Sequence, residues 1–486
     1  MPTSFAIASR LWAKRRRRGS SGKVDNPGAP VGSDWRRLHP LSPVVRFGRI
    51  AVGLLVVAIP ALEASRGARP GGGSPIVGSL IVWAALVGLS ALAGFVSWLV
   101  TRWRIGAADL QIETGVLRRQ SIRIPLARVQ AVDIVAPLAA RILGLAEVRV
   151  VSAGRGGERG RLAYLTAAEA AATRARLLAL AHGLAPETPE PVAQPLLSVV
   201  NSRLVVALSL RAGIALPVLL AVAAIVVLLV APSAGAVVLS TTLPVLVTGV
   251  VTVARTFNEE FEFSVSEAGD GLRLDRGLLQ RRHETIPFGR IQALRVVQPL
   301  LWRPAGWLRL EVDVARQHGL EQAREDPQRL ARTLIPVAKR EEVLALLARV
   351  FPEAGIDAPP QARPPRRAMI KAPFSYHFLA AWYGTRYVYA RTGRLQEATV
   401  IAPLQKIQSV RLSSGPLLRR LHLANVHVDT AGQRWQAAMK CRDEREASAW
   451  LWEISARARL ARRREALPPS RSRSRRVPDN ASTVIA

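Results

Sequence analysis

Apolar and polar residues alternate with a period of two in separate stretches of the chain, which is typical of half-buried β-strands. Leu110 and Ile112 show the alternation in one stretch, and Leu272 and Leu274 show it in another. A helical period follows each of three such stretches, at residues 166–184, 338–351 and 442–467. The pattern therefore predicts three units, each made of short strands and one closing helix.

The three stretches repeat one spacing of residues. Counted from a glycine, each has Leu at +2, Pro at +10, a basic residue at +13 and Gln at +15. The anchors are Gly115, Pro125, Arg128 and Gln130, then Gly277, Pro287, Arg290 and Gln292, then Gly393, Pro403, Lys406 and Gln408. A Pro-Leu pair follows in each copy, at Pro137, Pro299 and Pro416. One domain is therefore used three times.

The anchor residues have conformational reasons for their positions. A glycine accepts the positive φ that a tight turn needs. A proline cannot donate a hydrogen bond to a neighbouring strand, so it belongs at the start or edge of one. At the first closing helix, Thr166 and Glu169 have the spacing of a capping box. The first strands of the third copy, around residues 374–389, are the most weakly marked.

Long apolar segments precede the first two copies. About 20 apolar residues are needed to cross the roughly 30 Å hydrocarbon core of a bilayer as a helix. The segments without a charge are 76–100, 212–231 and 236–254. Residues 44–62 reach that length only if Arg46 and Arg49 extend to the headgroups. The sequence thus predicts four helices in two transmembrane hairpins, at 44–100 and 204–255.

Charge asymmetry predicts the orientation of these hairpins. Residues 34–49 carry four arginines and residues 101–128 carry six, whereas the first hairpin loop has two and the second none. By the positive-inside rule both loops face outward. We therefore expect a multi-pass protein of the cytoplasmic (inner) membrane, with both termini and all three repeated domains in the cytosol.

The composition of the segments between these elements completes the predicted organisation. The ends are basic, and the connecting segments are rich in proline, which is typical of disordered arms and semi-rigid spacers. The predicted order is a basic disordered arm (1–43), hairpin 1 (44–100), domain 1 (101–184), a linker (185–203), hairpin 2 (204–255), domain 2 (256–351), a Pro-rich linker (352–367), domain 3 (368–467) and a basic disordered tail (468–486).

The chain is strongly basic, with 68 Lys and Arg against 35 Asp and Glu. A net charge of +33 is compatible with anionic lipid or with nucleic acid. The apolar segments favour a lipid bilayer and its anionic headgroups, contacted through the basic termini. Nucleic-acid binding is not expected, because no basic face carries interleaved aromatic residues. The single cysteine, Cys441, excludes an internal disulfide.

Catalytic motifs are absent from the sequence. No phosphate-binding loop, nucleophile elbow or dinucleotide fingerprint is present. His422, His427 and Asp429 are the one cluster of metal-ligand types, and polar residues on a solvent face explain it better. Glu259, Glu260 and Glu262 are interpreted as a charged face beside the membrane. We therefore predict no enzyme activity, no catalytic residue, no metal and no cofactor.

The basic residue at +13 is the strongest candidate for a contact with a ligand. Arg128, Arg290 and Lys406 could each hold a lipid phosphate or a carboxylate of a partner protein. The alternative is a folding role, in which the long side chain packs on the domain and the neighbouring Gln binds a loop backbone. Recurrence in all three copies favours the folding role.

The repeat resembles the bacterial pleckstrin-homology (PH)-like domain in its G-x-L, I-P-x-x-[RK]-[IV]-Q and P-L pattern. Three such domains combined with membrane hairpins resemble the YdbT-type membrane proteins. The resemblance covers residues 35–465 and implies a seven-stranded split β-barrel closed by a C-terminal helix in each copy. The expected fold class is a membrane α plus β protein, with two transmembrane hairpins and three PH-like barrels.

Two functions are compatible with these features. The leading hypothesis is a non-enzymatic scaffold or adaptor, which recruits protein partners or forms a homo-oligomer at the membrane. The alternative is a transporter, or an envelope-stress or antimicrobial-resistance factor, in which the hairpins act and the domains oligomerise or gate them. The predicted helices carry few polar residues, which counts against this alternative, since a substrate path usually needs charges within the membrane. Ser240, Thr241 and Thr242 are the residues at which to test it.

Overall fold

A computed structural model describes most of the chain as strands and helices. The described residues are 35–45, 75–115, 119–152, 159–188, 190, 193–231, 233, 235–269, 271–315, 332–359, 362–432 and 435–466. Most of the first predicted membrane helix, most of the predicted N-terminal arm and the whole predicted tail (468–486) lie outside them.

The first barrel combines seven strands and a closing helix. Its first sheet contains β1 (Arg36–Arg37), β2 (Arg102–Ile105), β3 (Asp109–Thr114) and β4 (Gln120–Pro125) in that order. Its second sheet contains β5 (Val129–Pro137), β6 (Leu145–Ser152) and β7 (Arg159–Thr166). Helix α1 (Pro75–Val100) comes before β2, α2 (Leu138–Ile142) lies between β5 and β6, and α3 (Ala167–Ala181) closes the barrel.

The middle barrel repeats this order with two further helices. Its strands are β8 (Gln194–Ser198), β9 (Ser264–Ala268), β10 (Gly271–Arg276) and β11 (Gln280–Pro287), then β12 (Ile291–Pro299), β13 (Trp307–Val314) and β14 (Arg332–Lys339). Helices α4 (Asn201–Ser209), α5 (Ala212–Val230) and α6 (Gly235–Glu260) lie between β8 and β9, and α7 (Arg340–Val350) closes the barrel.

The third barrel has six strands among the described residues. They are β15 (Ala380–Tyr383), β16 (Tyr387–Thr392) and β17 (Gln396–Pro403), then β18 (Ile407–Ser413), β19 (Leu423–Thr430) and β20 (Ala437–Asp443). Helix α8 (Ala368–Lys371) precedes them, α9 (Pro416–Arg420) lies between β18 and β19, and α10 (Glu444–Ala466) closes the barrel. All strand pairings are antiparallel, as in the two pairs β16–β17 and β18–β19.

Local sequence rules explain how each barrel is built. Gly115, Gly277 and Gly393 have φ of 103°, 108° and 100°, the left-handed region where a side chain is strained. The capping box predicted at Thr166 and Glu169 is confirmed, with both of its hydrogen bonds present at the start of α3. In each barrel, apolar side chains from both sheets and from the closing helix form one core.

Neighbouring barrels share sheets. The second sheet of the first barrel continues into the first sheet of the middle barrel, in the strand order β7-β6-β5-β11-β10-β9-β8. The second sheet of the middle barrel continues in the same way into the third, in the order β14-β13-β12-β17-β16-β15. The three barrels therefore form one row. We call the β5–β11 pairing the first junction and the β12–β17 pairing the second junction.

Segments assigned to arms and linkers contribute to the barrels. Arg36–Arg37, within the predicted arm, forms β1 and pairs with β2. Gln194–Ser198, within the predicted linker 185–203, forms β8 and pairs with β9. Ile356 and Ala362, within the predicted spacer 352–367, are buried. These short pieces lack a period of their own, and pairing with distant strands orders them.

Helices α5 and α6 follow one another in the chain and contact each other, and α5 is apolar throughout its length. Within the described residues, one helical segment, Ser240–Glu260, is long and apolar enough to cross a membrane, and none of its most apolar window is buried. Ala84–Val100 and Leu220–Val230 are shorter apolar helices. One helix therefore meets both criteria in the described part of the chain, against the four spans that the sequence predicts.

Candidate functional site

The basic series at +13 lies between the two sheets of each barrel. Arg128, Arg290 and Lys406 each end a short 3₁₀ helix that starts directly after the anchor proline. Arg290 donates to the carbonyl of Ala315 at 3.3 Å, and Gln292 donates to the carbonyl of Arg290 at 3.3 Å. In the middle barrel, the side chains of Arg290 and Gln292 therefore donate to main-chain carbonyls of their own barrel. The structure brings the three basic residues to equivalent places in separate barrels and not to one common site.

In the third barrel, His427 and Asp429 of the predicted cluster form hydrogen bonds with side chains of β18. His427 contacts the hydroxyl of Ser413 at 2.8 Å, and Asp429 accepts hydrogen bonds from Ser409 and from Arg411, at 2.6 and 2.7 Å. The hydrogen bond from Arg411 lowers the pKa of Asp429. Across the described residues, no group of three or more His, Cys, Asp or Glu side chains is placed to hold a metal ion.

A buried ion-pair network joins helix α6 to the middle barrel. Arg309 on β13 donates to Glu260 at the end of α6 at 2.6 Å, to Glu311 at 3.0 Å and to Thr333 at 2.5 Å. Burial alone lowers the pKa of Arg309, but the two carboxylates outweigh it and raise the pKa. The interpretation of Glu260 as part of a charged face is wrong, since Glu260 is 4% exposed.

The first junction is a short ladder between β5 and β11. Four residue pairs are in register, from Gln280 opposite Pro137 to His283 opposite Ile134. Beyond the ladder, the backbone N–H of Thr285 donates to Asp133 at 3.4 Å. The ladder orients the outer face of β10 and β11 toward the closing helix of the first barrel.

That outer face is polar. Arg174 on α3 is 2% exposed and donates to Glu190 and to Thr285, both at 3.0 Å. Burial lowers the pKa of Arg174. Asp275 accepts from His283 on the adjacent strand. Burial alone would raise the pKa of Asp275. The hydrogen bond from His283 and the nearby positive charges have the larger effect, so the pKa is lowered. The first junction is thus built largely from hydrogen bonds and charges.

The second junction has a longer ladder and an apolar interior. Six residue pairs are in register, from Gln396 opposite Pro299 to Ile401 opposite Leu294. Tyr387, Tyr389 and Ile401 of the third barrel belong to the core of the middle barrel. Their neighbours on the same strands face the other way, into the core of the third barrel. Strands β16 and β17 are therefore buried on both faces.

Polar contacts surround this apolar interior. Arg303 donates to the carbonyl of Arg394 at 2.9 Å and lies 3.7 Å from Glu397. The backbone N–H of Leu300 donates to the carbonyl of Leu395 at 2.8 Å, which extends the ladder beyond Pro299. Tyr387 donates to the carbonyl of Pro352 at 3.0 Å. The segment between the barrels is thereby fixed to the second junction.

Sequence reasoning missed the residues that join the barrels. Arg141 donates to the carbonyl of Leu278 across the first junction at 3.4 Å, as Arg303 does to Arg394 across the second. Both arginines lie four residues after the proline of the Pro-Leu pair, and both acceptors follow the anchor glycine by one residue. The repeat contained this signal, because both arginines also lie four residues before the next strand, as Arg419 does in the third copy.

The geometry defines a tandem array of small β-barrels, each closed by a helix and joined to the next through its sheets. The model of the bacterial PH domain family matches three segments of the chain, residues 51–181, 206–354 and 363–459. The protein therefore belongs to the bacterial PH domain family, as the resemblance implied. A comparison with curated proteins gave no match.

Proposed function

We propose that the protein is a non-enzymatic scaffold that holds a row of three PH-like barrels at the cytosolic face of the inner membrane. The observation that carries the proposal is the continuity of both sheets across the barrel boundaries. Independent domains on free linkers would sample many orientations. Strand-paired barrels instead keep one spacing, which suits a protein that arranges partners relative to one another.

Anchoring by two helical hairpins is part of this proposal. Side chains of α1, α5 and α6 that would face lipid are exposed, among them Ile81, Leu89, Leu229 and Val250. Apolar patches of this extent are characteristic of membrane or protein contacts. The buried ion pair between Glu260 and Arg309 would couple the second hairpin to the row. The basic ends, 1–43 and 468–486, would add contacts with anionic headgroups.

The transport alternative gains no support from the polar residues of α6. Thr242 donates its hydroxyl to the carbonyl of Val238 at 2.5 Å, and Thr241 donates to the same carbonyl at 3.1 Å. Such bonds within one helix satisfy hydroxyls that a substrate path would use. The scaffold function therefore fits the geometry better.

Topology and partners can be tested on the full chain. In a Cys441→Ala background, Ser233→Cys lies in the second hairpin loop. It should react with a membrane-impermeant maleimide in cells whose outer envelope is permeabilised and whose inner membrane is intact. Ser448→Cys on α10 should react only after the inner membrane is permeabilised. Proximity labelling from the C-terminus should then give neighbours that differ from those of an unrelated membrane protein carrying the same label. The proposal would be contradicted if the chain were recovered in the soluble fraction, or if its labelled neighbours were the same as those of the unrelated membrane protein.

A further inference from the structure

Both internal junctions use the same strands in the same register. The residue three after the anchor glycine lies opposite the proline of the Pro-Leu pair in the preceding barrel. Gln280 lies opposite Pro137 in the first junction, and Gln396 lies opposite Pro299 in the second. The pairing is therefore a property of the repeat and does not depend on one particular pair of barrels.

The arginine four residues after that proline completes each junction. Its guanidinium donates to a backbone carbonyl beside the anchor glycine, from Arg141 to Leu278 and from Arg303 to Arg394. In the third copy the Pro-Leu pair comes one residue later, and Arg419 on α9 has this position, four residues before the next strand as Arg141 and Arg303 are; its side chain is exposed. The chain thus carries three arginines of this kind and two junctions.

At each end of the row, the strand that would form a junction lies at the edge of its sheet. In the described residues, β4 is the last strand of the first barrel's first sheet, and β18 is the last strand of the third barrel's second sheet. Leu412 on β18 is 38% exposed, whereas Val296, its counterpart in the second junction, is 5% exposed. Edge strands with free backbone groups readily accept a further strand.

The space beside β4 can receive such a strand. A cavity of about 330 Å³ lies between the end of α1 and the edge of the first barrel, and Gly115, Arg119 and Gln120 line it. In the middle barrel the end of α6 contacts the residue after the anchor glycine, since the backbone N–H of Leu278 donates to the carbonyl of Asn258 at 2.9 Å. The first junction forms there nonetheless. A helix end at this place therefore leaves the strand edge accessible.

Charges on the two ends are complementary. Asp109 and Glu113 lie on the outer face of β3, where Glu113 has the position of Asp275 on β10. Arg459 and Arg463 are exposed on α10, the closing helix of the third barrel. Opposite charges at the two ends would favour the approach of one copy to the next.

We propose that β18 of one copy pairs with β4 of a second copy of this chain, in the register of the internal junctions. Ser413 would lie opposite Gln120 and Leu412 opposite Ser121, and Arg419 would reach the main chain at Gly115. The two paired surfaces differ, so the contact is heterologous and generates rings or filaments of copies. This inference rests on the proposed scaffold function and names one partner, the chain itself.

Cysteine cross-linking of the full chain in its native membrane tests the register. In the Cys441→Ala background, Gln120→Cys combined with Ser413→Cys should give, under mild oxidation, a ladder of multiples on a non-reducing gel. Each single substitution should give no ladder. Gln120→Cys with Leu412→Cys should also fail, because adjacent strand residues point to opposite faces. Equal ladders from the matched and shifted pairs would show random collision and overturn the inference.

Arg419 supplies the second test, with its neighbour as control. Arg419→Ala in the matched cysteine pair should reduce the ladder by about fivefold, the effect expected from one charge-assisted hydrogen bond. Arg420→Ala should leave it unchanged. An Arg419 variant that cross-links normally would refute the arginine contact. A membrane-bound, folded chain that never cross-links but keeps its other neighbours would refute self-assembly and leave the scaffold function standing.

Discussion

The two junctions use one strand pairing but bury different chemistry. Position by position, Arg273 on β10 corresponds to Tyr389 on β16, and Thr285 on β11 corresponds to Ile401 on β17. The first junction therefore places a polar face against Arg174, whereas the second encloses aromatic and aliphatic side chains. A repeat can thus conserve its backbone register while its outer face sets how firmly two barrels are joined.

The largest predicted effect comes from removing apolar volume at the second junction. Ile401 is fully buried, so Ile401→Ala should cost about 3 kcal/mol of stability through lost contacts and a cavity. Hydrogen exchange of β17 in the full chain would measure the cost as faster opening. Thr285→Ala, the equivalent change at the first junction, should cost about 1 kcal/mol. Equal costs would contradict the difference between the junctions.

Loss of the buried guanidinium should weaken the first junction next. Arg174→Ala removes the donor to Glu190 and Thr285 and should cost about 2 kcal/mol, less than for a fully buried pair because Glu190 is partly exposed. Hydrogen exchange of the backbone amides should become faster in β11 and remain unchanged in β17. Arg174→Met keeps the apolar part of the side chain and should be milder. An effect confined to α3 would show that Arg174 serves only its own barrel.

Acid should loosen the first junction selectively. The folded-state pKa of Asp275 is below its ordinary value of 3.8, so its stabilising contribution is present above that value and is lost as the pH falls through the lower folded-state value. Lowering the pH from about 5 to about 3 should therefore speed exchange in β10 and β11. Asp275→Asn should remove this part of the pH dependence. The same acid response in β16 would argue against the assignment.

The smallest effects should come from the arginines that bridge the junctions. Arg303→Ala should cost about 1 kcal/mol, because a 2.9 Å hydrogen bond and the nearby Glu397 are lost. Arg141→Ala should cost only about 0.5 kcal/mol, since its 3.4 Å contact is long and exposed. Thermal unfolding of the two variants side by side would rank them. The reverse ranking would show that the polar junction depends on its bridging arginine.

Local rules in the sequence were enough for much of each barrel. The anchor glycines, the capping box at Thr166 and the closing helices follow from backbone conformation and helical period. Pairing between barrels was not predictable in this way, because the register of β5 against β11 depends on tertiary structure. Arg174 and Arg309 were also missed, since arginine is ordinarily a surface residue and its burial depends on partners distant in sequence.

The candidate site was identified only in part. The basic series at Arg128, Arg290 and Lys406 was found because its spacing recurs, and the structure places it at the turn between the sheets of each barrel. The arginines at 141, 303 and 419 recur just as regularly. Their importance depends on the neighbouring barrel, and a single repeat considered alone does not reveal that neighbour.

Helices α5 and α6 lie between β8 and β9 in the chain, so the first strand of the middle barrel is synthesised before them and its partner strand after them. During translation β8 therefore stays unpaired until both helices and then β9 have emerged from the ribosome. The third barrel has only the five-residue α-helix α9 between its described strands and can close as soon as its last residues emerge. Assembly of the row is thus delayed by the helices inserted between β8 and β9, and the third barrel is added last.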